Sequence, residues 1–383
     1  MKRQRPSGAA GVQCLWRTPS AAREFQGAVS LHSHTMHSRE GLDFIPRVLR
    51  KVRWAHAIVR MAERRHERRS GRPVGYDRAY WRPPLNPQAA YHLEAGQIRD
   101  ALGLRPMVSL TDHDELEACR ELQAIGIPCP YSVEWTVPYG ATVFHLGVHN
   151  LPSASASALF AWMARYTAQP REELLAEILA ALDEQEGVLL VLNHPFLSEE
   201  RLERADHVRL LMQFLARHGL RMHALELNGL QPASDNREVV RLAGESGIPA
   251  ISGGDRHCLE PNANVNLTNA GTFGEFVHEV RHEGLSRVLF LPQYRESIAA
   301  RYIHFIWHAV RTYPDMPGRE RWTDRIFFEP FGQPGVAVPL SAEWTDGGPA
   351  IVRGFVSSIG FLAAPHMRGA LRLAFGEQGE VGA

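Results

Sequence analysis

The sequence predicts an α/β fold built around a parallel sheet or barrel. Short apolar runs of strand type, such as 28–31, 187–192 and 248–252, contain few polar side chains and suit strands that are buried on both faces. Amphipathic helical patterns lie between most of them, and in 171–186 leucine and isoleucine side chains recur at helical spacing along one face. Alternation of such strands and helices is typical of a parallel sheet with helical crossovers.

The composition agrees with a globular protein and limits the choice of partners. The chain has 383 residues, of which 44% are hydrophobic and 22% charged, enough for one large barrel or two ordinary domains. Lys plus Arg and Asp plus Glu both number 42, so the net charge of zero indicates neither nucleic acid nor a membrane surface. The chain has four scattered cysteines, no secretory signal pattern and no run of roughly twenty apolar residues, so we expect a cytoplasmic protein.

Most of the predicted strands end in a cluster of histidine and carboxylate residues. These clusters are 32–34 (His-Ser-His), 111–114 (Thr-Asp-His-Asp), Glu134, His145, 193–195 (Asn-His-Pro) and 255–257 (Asp-Arg-His). In parallel α/β folds the carboxyl ends of the strands form one rim, and active sites lie there. We therefore expect these side chains to converge on one site.

The chemistry of the converging residues indicates metal binding. His32 and His34 are two residues apart at a strand end, so both imidazoles point the same way and can reach one ion. Asp255 and His257 repeat this spacing after two glycines, which would let the chain turn sharply and approach an ion closely. Imidazole and carboxylate ligands without thiolate suit Zn, Mn or Fe.

Several candidates also have a structural interpretation when each is taken alone. Asp112 could cap the helix that follows it, and Glu134 could be a surface glutamate on a loop. His145 and His194 could each be a hydrogen-bonded structural histidine. Cys258 adjoins the last cluster, but an extended segment would turn its side chain away, so we interpret it as structural. Because all of the candidate ligands fall on one predicted rim, we interpret them together as a metal site.

The order of these motifs resembles that of the PHP (polymerase and histidinol phosphatase) family of metal-dependent phosphoesterases. The matching motifs lie within roughly residues 28 to 292 and are 31–35 (Leu-His-Ser-His-Thr), 110–114 (Leu-Thr-Asp-His-Asp), Glu134, 145–147 (His-Leu-Gly), 193–195 (Asn-His-Pro) and 254–257 (Gly-Asp-Arg-His). The resemblance implies a distorted seven-stranded β/α barrel, (β/α)7, with two or three divalent metal ions and hydrolysis of phosphate esters.

By position, the resemblance assigns nine residues as metal ligands in three sets. The first metal would be held by His32, His34, Glu134 and Asp255. Glu134 would bridge to a second metal held by His145 and His194, while His113 and His257 would contribute to a third. In the family that third site often takes an acidic residue from a Ser-Asp-Gly sequence. Here the matching stretch, Ser-Arg-Glu-Gly at 38–41, is one residue longer, so Glu40 is the expected ligand and His37 the alternative.

Further roles follow from the implied hydrolysis. The ligands that would also act in catalysis are Glu134, Asp255 and His257, the last of which would help to stabilise the leaving oxygen. The residues that could contact substrate, because they adjoin ligands or reach the rim, are Arg39, Arg256, Asn228 and Glu226. The two arginines would hold substrate phosphate bidentately, with ordinary solvated arginines as an equal alternative.

We expect three regions along the chain: an N-terminal extension over 1–27, a barrel over 28–292 and a C-terminal helical or irregular extension over 293–383. The barrel carries an insertion at about 43–100, in which 44–69 indicates a long helix and 71–87 a loop. The arginines of this insertion are Arg47, Arg50, Arg53, Arg60, Arg64, Arg65, Arg68, Arg69 and Arg72. They form either a solvated helix face or a basic lid that binds polyanions.

The expected substrate is a phosphorylated small molecule or a nucleotide, with no membrane partner. One alternative keeps the metals and makes the substrate a nucleic acid, cleaved as by an exonuclease with help from the basic segment 47–72. A second alternative is a metal-binding regulatory domain without catalysis.

Overall fold

The computed structural model describes residues 11–42, 60–61, 63–65, 67–68, 71, 75–198, 202–330, 333 and 335–381. Much of the predicted insertion helix, 44–59, therefore lies outside the described residues. The same holds for Arg47, Arg50, Arg53, Arg69 and Arg72. The described arginines of this helix, Arg60, Arg64, Arg65 and Arg68, are exposed on helical residues.

The described strands follow the short apolar runs of the sequence. They are β1 (Gly11–Cys14), β2 (Gly27–Ser30), β3 (Glu40–Gly41), β4 (Ala79–Trp81), β5 (Arg105–Val108), β6 (Tyr131–Tyr139), β7 (Thr142–Leu151), β8 (Leu189–Leu192), β9 (Ala224–Asn228), β10 (Ala250–Gly253), β11 (Asn264–Thr268), β12 (Arg287–Phe290), β13 (Ile326–Phe328) and β14 (Val338–Pro339). Strands β2, β8, β9 and β10 are buried at every residue, as expected for strands covered on both faces.

Two five-stranded sheets carry the candidate site. The first has the order β1-β12-β11-β2-β5 and the second the order β10-β9-β8-β7-β6. Parallel pairs join β1 to β12, β2 to β5, β8 to β9 and β9 to β10. The predicted α/β class with parallel strands is thus confirmed.

The strands do not close into one continuous barrel within the described part of the chain, which differs from the predicted (β/α)7 arrangement. Strand β11 runs antiparallel to both of its neighbours, and β6 and β7 form a long antiparallel hairpin in place of a helical crossover. Two isolated bridges, Ser33 to Arg256 and His113 to Glu134, connect the two sheets where the strands of the site end. These bridges bring the two sheets together near the site, although the sheets share no continuous ladder of backbone hydrogen bonds among the described residues.

Helices cover the outer faces of the sheets. The described α-helices are Pro87–Gln97, Glu117–Ala124, Ala156–Ala168, Glu172–Asp183, Arg204–His218, Ala233–Ser246, Phe273–His278, Ile298–Val310, Trp322–Arg325, Ala350–Leu362 and Arg368–Phe375. In Glu172–Asp183 the predicted apolar face is confirmed, since Leu175, Ile178 and Leu182 are fully buried in the largest core cluster. Each such side chain contributes about 1.5–3 kcal/mol by leaving water.

The C-terminal extension packs beside the insertion through a third sheet of order β14-β13-β4-β3. Strand β4 lies inside the stretch 71–87 that the sequence predicts as a loop. It pairs with β3 on one side and with β13 on the other, and the ring of Tyr80 stacks on that of Phe327 at 5.3 Å between centroids. One of the two partners of β4, the strand β13, is more than two hundred residues away, so local sequence pattern cannot reveal that pairing. This sheet brings the extension next to Glu40.

Among the described helices, none by itself has the length and apolar character needed to cross a bilayer. Ala350–Leu362 and Pro365–Phe375 reach that length and composition only as a pair, and the two are bent by 64°.

Candidate metal centre

All nine residues predicted as metal ligands lie together in the structure. They fall into four overlapping groups, in each of which the potential ligand atoms lie within 4.8 Å of one another. The groups are His32, His34 and Asp255; His32, Glu134 and His194; His113, Glu134 and His145; and His34, Glu40, His113 and His257. Residues far apart in the sequence are thus brought to one rim, as the strand-end argument expects.

Most of these side chains follow strand ends, but three lie inside strands, Glu40 in β3, Glu134 in β6 and His145 in β7. His32 and His34 follow β2, His194 follows β8, and Asp255 follows β10. Glu134 and His145, expected at strand ends, lie inside the β6–β7 hairpin, where Glu134 pairs with Gly147. The hairpin is longer than its apolar runs because it continues past the site to the turn at Gly140.

Glu134 has the position of a bridging ligand. Its Oε2 lies 3.0 Å from Nε2 of His32 and 3.2 Å from Nε2 of His34. Its Oε1 lies 3.2 Å from Nε2 of His194 and 3.4 Å from Nδ1 of His145. The two oxygens of one carboxylate therefore face two different sets of histidines, which suits a carboxylate shared by two ions.

Asp255 completes the first set. Its Oδ1 lies 3.5 Å from Nε2 of His32 and 3.4 Å from Nε2 of His34. Ligand atoms bound at about 2.1 Å to one ion are separated by about 3.0–3.4 Å at octahedral or tetrahedral angles. The observed separations match that spacing closely.

Glu40 and not His37 joins the third set. Oε2 of Glu40 lies 3.4 Å from Nε2 of His113 and 3.2 Å from Nε2 of His257. His37 instead points to Glu121, with 2.9 Å between Nε2 and the carboxylate. The extra residue in the 38–41 stretch is therefore accommodated with its acidic side chain in the cluster, and Ser38 donates to Glu40 at 2.6 Å.

Three buried atoms of the first set test whether this arrangement fits a metal. Nε2 of His32, Nε2 of His34 and Oε2 of Glu134 make no hydrogen bond to any described residue, although they lie within 3.2 Å of a neighbour in the set. A buried polar atom without a partner costs about 1–3 kcal/mol. A cation placed among their lone pairs removes that cost. The donor set therefore fits a divalent ion.

The local electrostatics agree with an ionised acidic set among basic imidazoles. Burial raises the pKa of Glu134, but His32, His113 and His145 lower it well below its usual range. For His194, burial lowers the pKa and the hydrogen bond and charge of Glu134 raise it, to about 9 in total. At His32 burial likewise lowers the pKa, but the charges of three carboxylates raise it, and the pKa lies well above its ordinary value. An incoming cation would replace such protons.

Glu226, expected at the rim as a residue that could orient substrate, is hydrogen-bonded to candidate ligands. Its Oε1 lies 2.5 Å from Nδ1 of His32, and its Oε2 accepts hydrogen bonds from the backbone N–H of His194 and from Nδ2 of Asn228. Asn228 is itself buried, and its amide also donates to Asp255 at 3.2 Å. Both side chains are therefore engaged in holding the ligands.

Arg256, predicted to hold substrate phosphate, donates its hydrogen bonds to residues of the chain itself. Its Nε donates to Glu94 at 2.7 Å, and its two terminal nitrogens donate to the backbone carbonyls of Cys258 and His34. The side chain is almost fully buried. Its role is to brace the chain on either side of the site. Arg39 is exposed, with its guanidinium 5.4 Å from the ring centre of Tyr80, and its substrate role stays a prediction.

Glu94 is the supporting residue that sequence reasoning missed. It is fully buried on the helix Pro87–Gln97, where it accepts from Ser30, Arg256 and the backbone of Asn262. Its neighbours on the buried face are Ala90, Tyr91 and Ala95. A single acidic residue on an apolar helix face was the available signal. Asp112 proves to be a support of the same kind, because it accepts from both the backbone and the hydroxyl of Thr35.

The backbone is left-handed at three of the candidate ligands. His32 has φ 61°, His194 has φ 26° and Asp255 has φ 57°, values that non-glycine residues adopt at some energetic cost. The surrounding hydrogen bonds hold these conformations: the backbone N–H of Asp255 donates to the carbonyl of His32 at 2.8 Å. Strain concentrated on ligand residues is typical of sites where backbone geometry serves binding.

The two glycines before Asp255 are needed for space and not for the sharp turn that the sequence suggests. Neither has a positive φ. A Cβ on Gly253 would lie 1.7 Å from Oε1 of Glu226, and a Cβ on Gly254 would lie 1.7 Å from Cγ of Asn262. The supporting side chains fill the volume that any larger residue would occupy.

No protein-family model matches the chain, and no curated protein matches it. Among solved structures, an amidohydrolase from Chromobacterium violaceum, with bound sulfate and no metal, is 18% identical, with a TM-score of 0.30 over 46% of this chain and 83% of its own. A protein from Bifidobacterium adolescentis named as a metal-dependent phosphoesterase is 16% identical, with a TM-score of 0.31 over 52% of this chain and 91% of its own. Likenesses this weak leave the activity to be argued from the chain's own residues.

Proposed function

We propose that the protein is a metal-dependent phosphoesterase, a phosphatase or phosphodiesterase of the PHP type, acting on a phosphorylated small metabolite or a nucleotide. The observation that carries the proposal is the position of Glu134, whose two oxygens face two separate histidine sets within 3.0–3.4 Å. Paired ions with a shared carboxylate are a recurring arrangement in phosphoryl-transfer enzymes. On this proposal the two bridged sheets are a distorted form of the family's barrel.

The donor set supports Zn, Mn or Fe as the ions, in a centre of two or three. All nine proposed ligands offer imidazole nitrogen or carboxylate oxygen, which suits these three metals. The set contains no thiolate, the ligand that softer metal ions prefer. When bound, such ions supply Lewis acidity that activates water near neutral pH and neutralises charge on phosphoryl oxygens.

The chain's own residues prepare the site for that chemistry. Glu226 holds the proton on Nδ1 of His32, which directs the Nε2 lone pair towards the centre. Asn193 donates to Oε1 of Glu134 at 2.9 Å and fixes the plane of the bridging carboxylate. His257 lies at the outer side of the cluster, where its ring stacks on that of His34 at 4.1 Å between centroids. With Nε2 towards Glu40 and Nδ1 2.9 Å from the carbonyl of Asp255, it would act as a ligand of a third ion, which would help to stabilise a leaving oxygen.

Phosphate is favoured as the reacting group because two or three ions held by adjacent ligand sets would place positive charge close to it. A phosphoryl group in transfer spreads its charge over three equatorial oxygens, which such ions would neutralise. The third set of Glu40, His113 and His257 lies next to the first through His34 and so would hold the third such ion.

Elemental analysis of the purified protein and a panel of phosphate monoesters and diesters test the proposal together. We expect bound Zn, Mn or Fe, phosphate release that a chelator abolishes, and restoration by added metal. His32→Ala and Asp255→Ala should lose both metal and activity, whereas His278→Ala, which changes an exposed histidine of the helix Phe273–His278, should keep both. Full activity in the first two variants, or hydrolysis of amides and not of phosphoesters, would contradict the proposal.

A further inference from the structure

The helix Ile298–Val310 of the C-terminal extension forms one wall of a recess beside the candidate metal centre. Arg301, Phe305 and His308 of this helix line the recess, at a spacing of four and three residues that places them on one face. Asp255 and His257 line it from the other side. The recess is open to solvent.

Arg301 is buried in this recess, and two of its nitrogens have no hydrogen-bond acceptor in the described chain. Only 5% of the residue is exposed, yet Nε and Nη1 make no hydrogen bond to any described residue. A guanidinium remains charged at every physiological pH, so its burial without hydrogen-bond partners is unfavourable. An acceptor from outside the described chain would remove that cost.

The neighbours of Arg301 position it without satisfying it. The guanidinium lies 5.4 Å from the ring centre of Tyr294, a cation–π contact that leaves the N–H groups unused. Glu260 also lines the recess and acts on Arg301 electrostatically, but no ion pair joins these two described side chains. By contrast the buried Arg256 uses all its nitrogens within the chain.

We propose that Arg301 binds a second anionic group of the substrate, an oxyanion separate from the phosphoryl group that reacts at the metal centre. The inference rests on the proposed function and narrows its substrate class to molecules that carry two anionic groups. The second group is a phosphate or a carboxylate, both of which accept hydrogen bonds from a guanidinium.

Phe305, which lines the recess together with Arg301 and His257, favours an apolar spacer between the two groups. The ring of Phe305 lies edge-on to that of His257 at 5.8 Å between centroids, so the wall between Arg301 and the metal centre is aromatic. Burial lowers the pKa of His308 to about 4, so this imidazole is neutral and offers a hydrogen bond without a second positive charge. Since Arg256 uses its donors within the chain, Arg301 is the guanidinium of the recess that can bind one added anionic group.

A matched series of three esters tests this with the metal-loaded wild-type protein. Propyl phosphate carries no second anion, 3-phosphooxypropanoate carries a carboxylate, and propane-1,3-diyl bisphosphate carries a phosphate. We expect at least one of the two compounds that carry a second anionic group to have a KM about tenfold or more below that of propyl phosphate, and the better of them identifies the oxyanion. Equal KM values for all three would overturn the proposal whether or not any variant folds.

Arg301→Gln then assigns the effect to this residue. Its KM for the preferred compound should rise at least tenfold, while kcat and the KM for propyl phosphate stay near wild type. Arg301→Lys should fall between, because it keeps the charge with different donor geometry. Arg209→Gln, on the exposed face of another helix, is the matched control and should behave as wild type. Metal content and thermal unfolding of each variant show whether the centre and fold are intact.

Equilibrium binding separates failure of this inference from failure of the proposed function. 3-Phosphonopropanoate has two oxyanions and no ester to hydrolyse, and its binding to the protein as purified is measured by calorimetry. If the wild type hydrolyses no phosphoester, the proposed function fails; tenfold weaker binding of this probe to Arg301→Gln would still support the subsite. Equal binding to both proteins would overturn the subsite even where hydrolysis is observed.

Discussion

Nδ1 of His32 lies 2.5 Å from Oε1 of Glu226, and both side chains are buried at the base of the metal centre. A carboxylate in this position fixes the tautomer of the histidine and raises the basicity of the nitrogen that faces the ion. Glu226 also accepts from the backbone of His194, so one carboxylate orients ligands of two sets. We therefore expect a metal centre at this site to depend on Glu226, although this residue does not belong to any of the candidate ligand groups.

Glu226→Gln is therefore expected to weaken metal binding or hydrolysis by about 10–100-fold while the fold is retained. The amide keeps the shape of the side chain but not the charge that stabilises the His32 N–H. Competition with a chromogenic chelator measures the affinity, and phosphoester turnover measures the activity. Glu245→Gln, which changes an exposed glutamate paired with Arg241, is the control. Unchanged affinity and turnover in Glu226→Gln would contradict the orienting role.

Substitutions of Glu40 and of His37 should differ in their effect on the number of bound ions. Glu40→Gln removes the carboxylate that lies within 3.4 Å of two histidines of the third set, so the protein should hold fewer ions per chain. His37→Gln should leave the metal content unchanged, because that imidazole contacts Glu121. The metal-to-protein ratio of the two variants, measured after equal loading and desalting, decides between them; equal ratios would remove Glu40 from the centre.

The sequence predicts the ligands better than it predicts their supports, for a physical reason. A ligand such as His32 or Asp255 follows a buried strand, and the topology of parallel strands is enough to bring strand ends together. The supports depend on pairings between distant elements. Arg256 looks like a phosphate ligand until Glu94, on a helix some 160 residues earlier, is seen to hold it at 2.7 Å. No local sequence pattern indicates that pairing.

The same limit applies to the architecture. The α/β class and the buried face of Glu172–Asp183 follow from periodicity, which the core preserves. Periodicity does not predict the antiparallel hairpin of β6 and β7 or the three-residue strand β4. Their apolar runs are too short to indicate strand direction. Consequently the residues near the site that come from the C-terminal extension, Arg301 and Phe305, could be found only from the structure.

Gly253→Ala should destabilise the protein and impair the centre together. Its Cβ would meet Oε1 of Glu226 at 1.7 Å, so either the strand or the glutamate must move, at a cost of about 1–3 kcal/mol. Gly244→Ala is the matched control: it lies in the helix Ala233–Ser246 with no atom within 4 Å of the added carbon. That change should stabilise by about 0.5–1 kcal/mol. Denaturant unfolding with and without metal measures both; equal free energies of unfolding for the two variants would contradict the close approach at Gly253.

His149 should make the stability of the protein fall in acid. It is buried beside Ser109, with 2.8 Å between Nδ1 and the hydroxyl, and burial together with the charge of His32 lowers its pKa to about 3. In the unfolded chain the same group has a pKa of about 6.5. Between these values the unfolded state binds a proton that the folded state does not. The contribution to stability is therefore present above about pH 6.5 and is lost as the pH falls towards 3, at about 1.4 kcal/mol per pH unit.

The variant His149→Gln isolates this contribution, because glutamine does not titrate. The free energy of unfolding of the wild type minus that of the variant should decrease steadily between pH 6 and pH 4, whatever the two values are at pH 7. Urea titrations of both proteins at matched metal content across that range give the difference directly. A difference that is constant with pH would show that His149 takes up its proton in the folded protein as readily as in the unfolded chain.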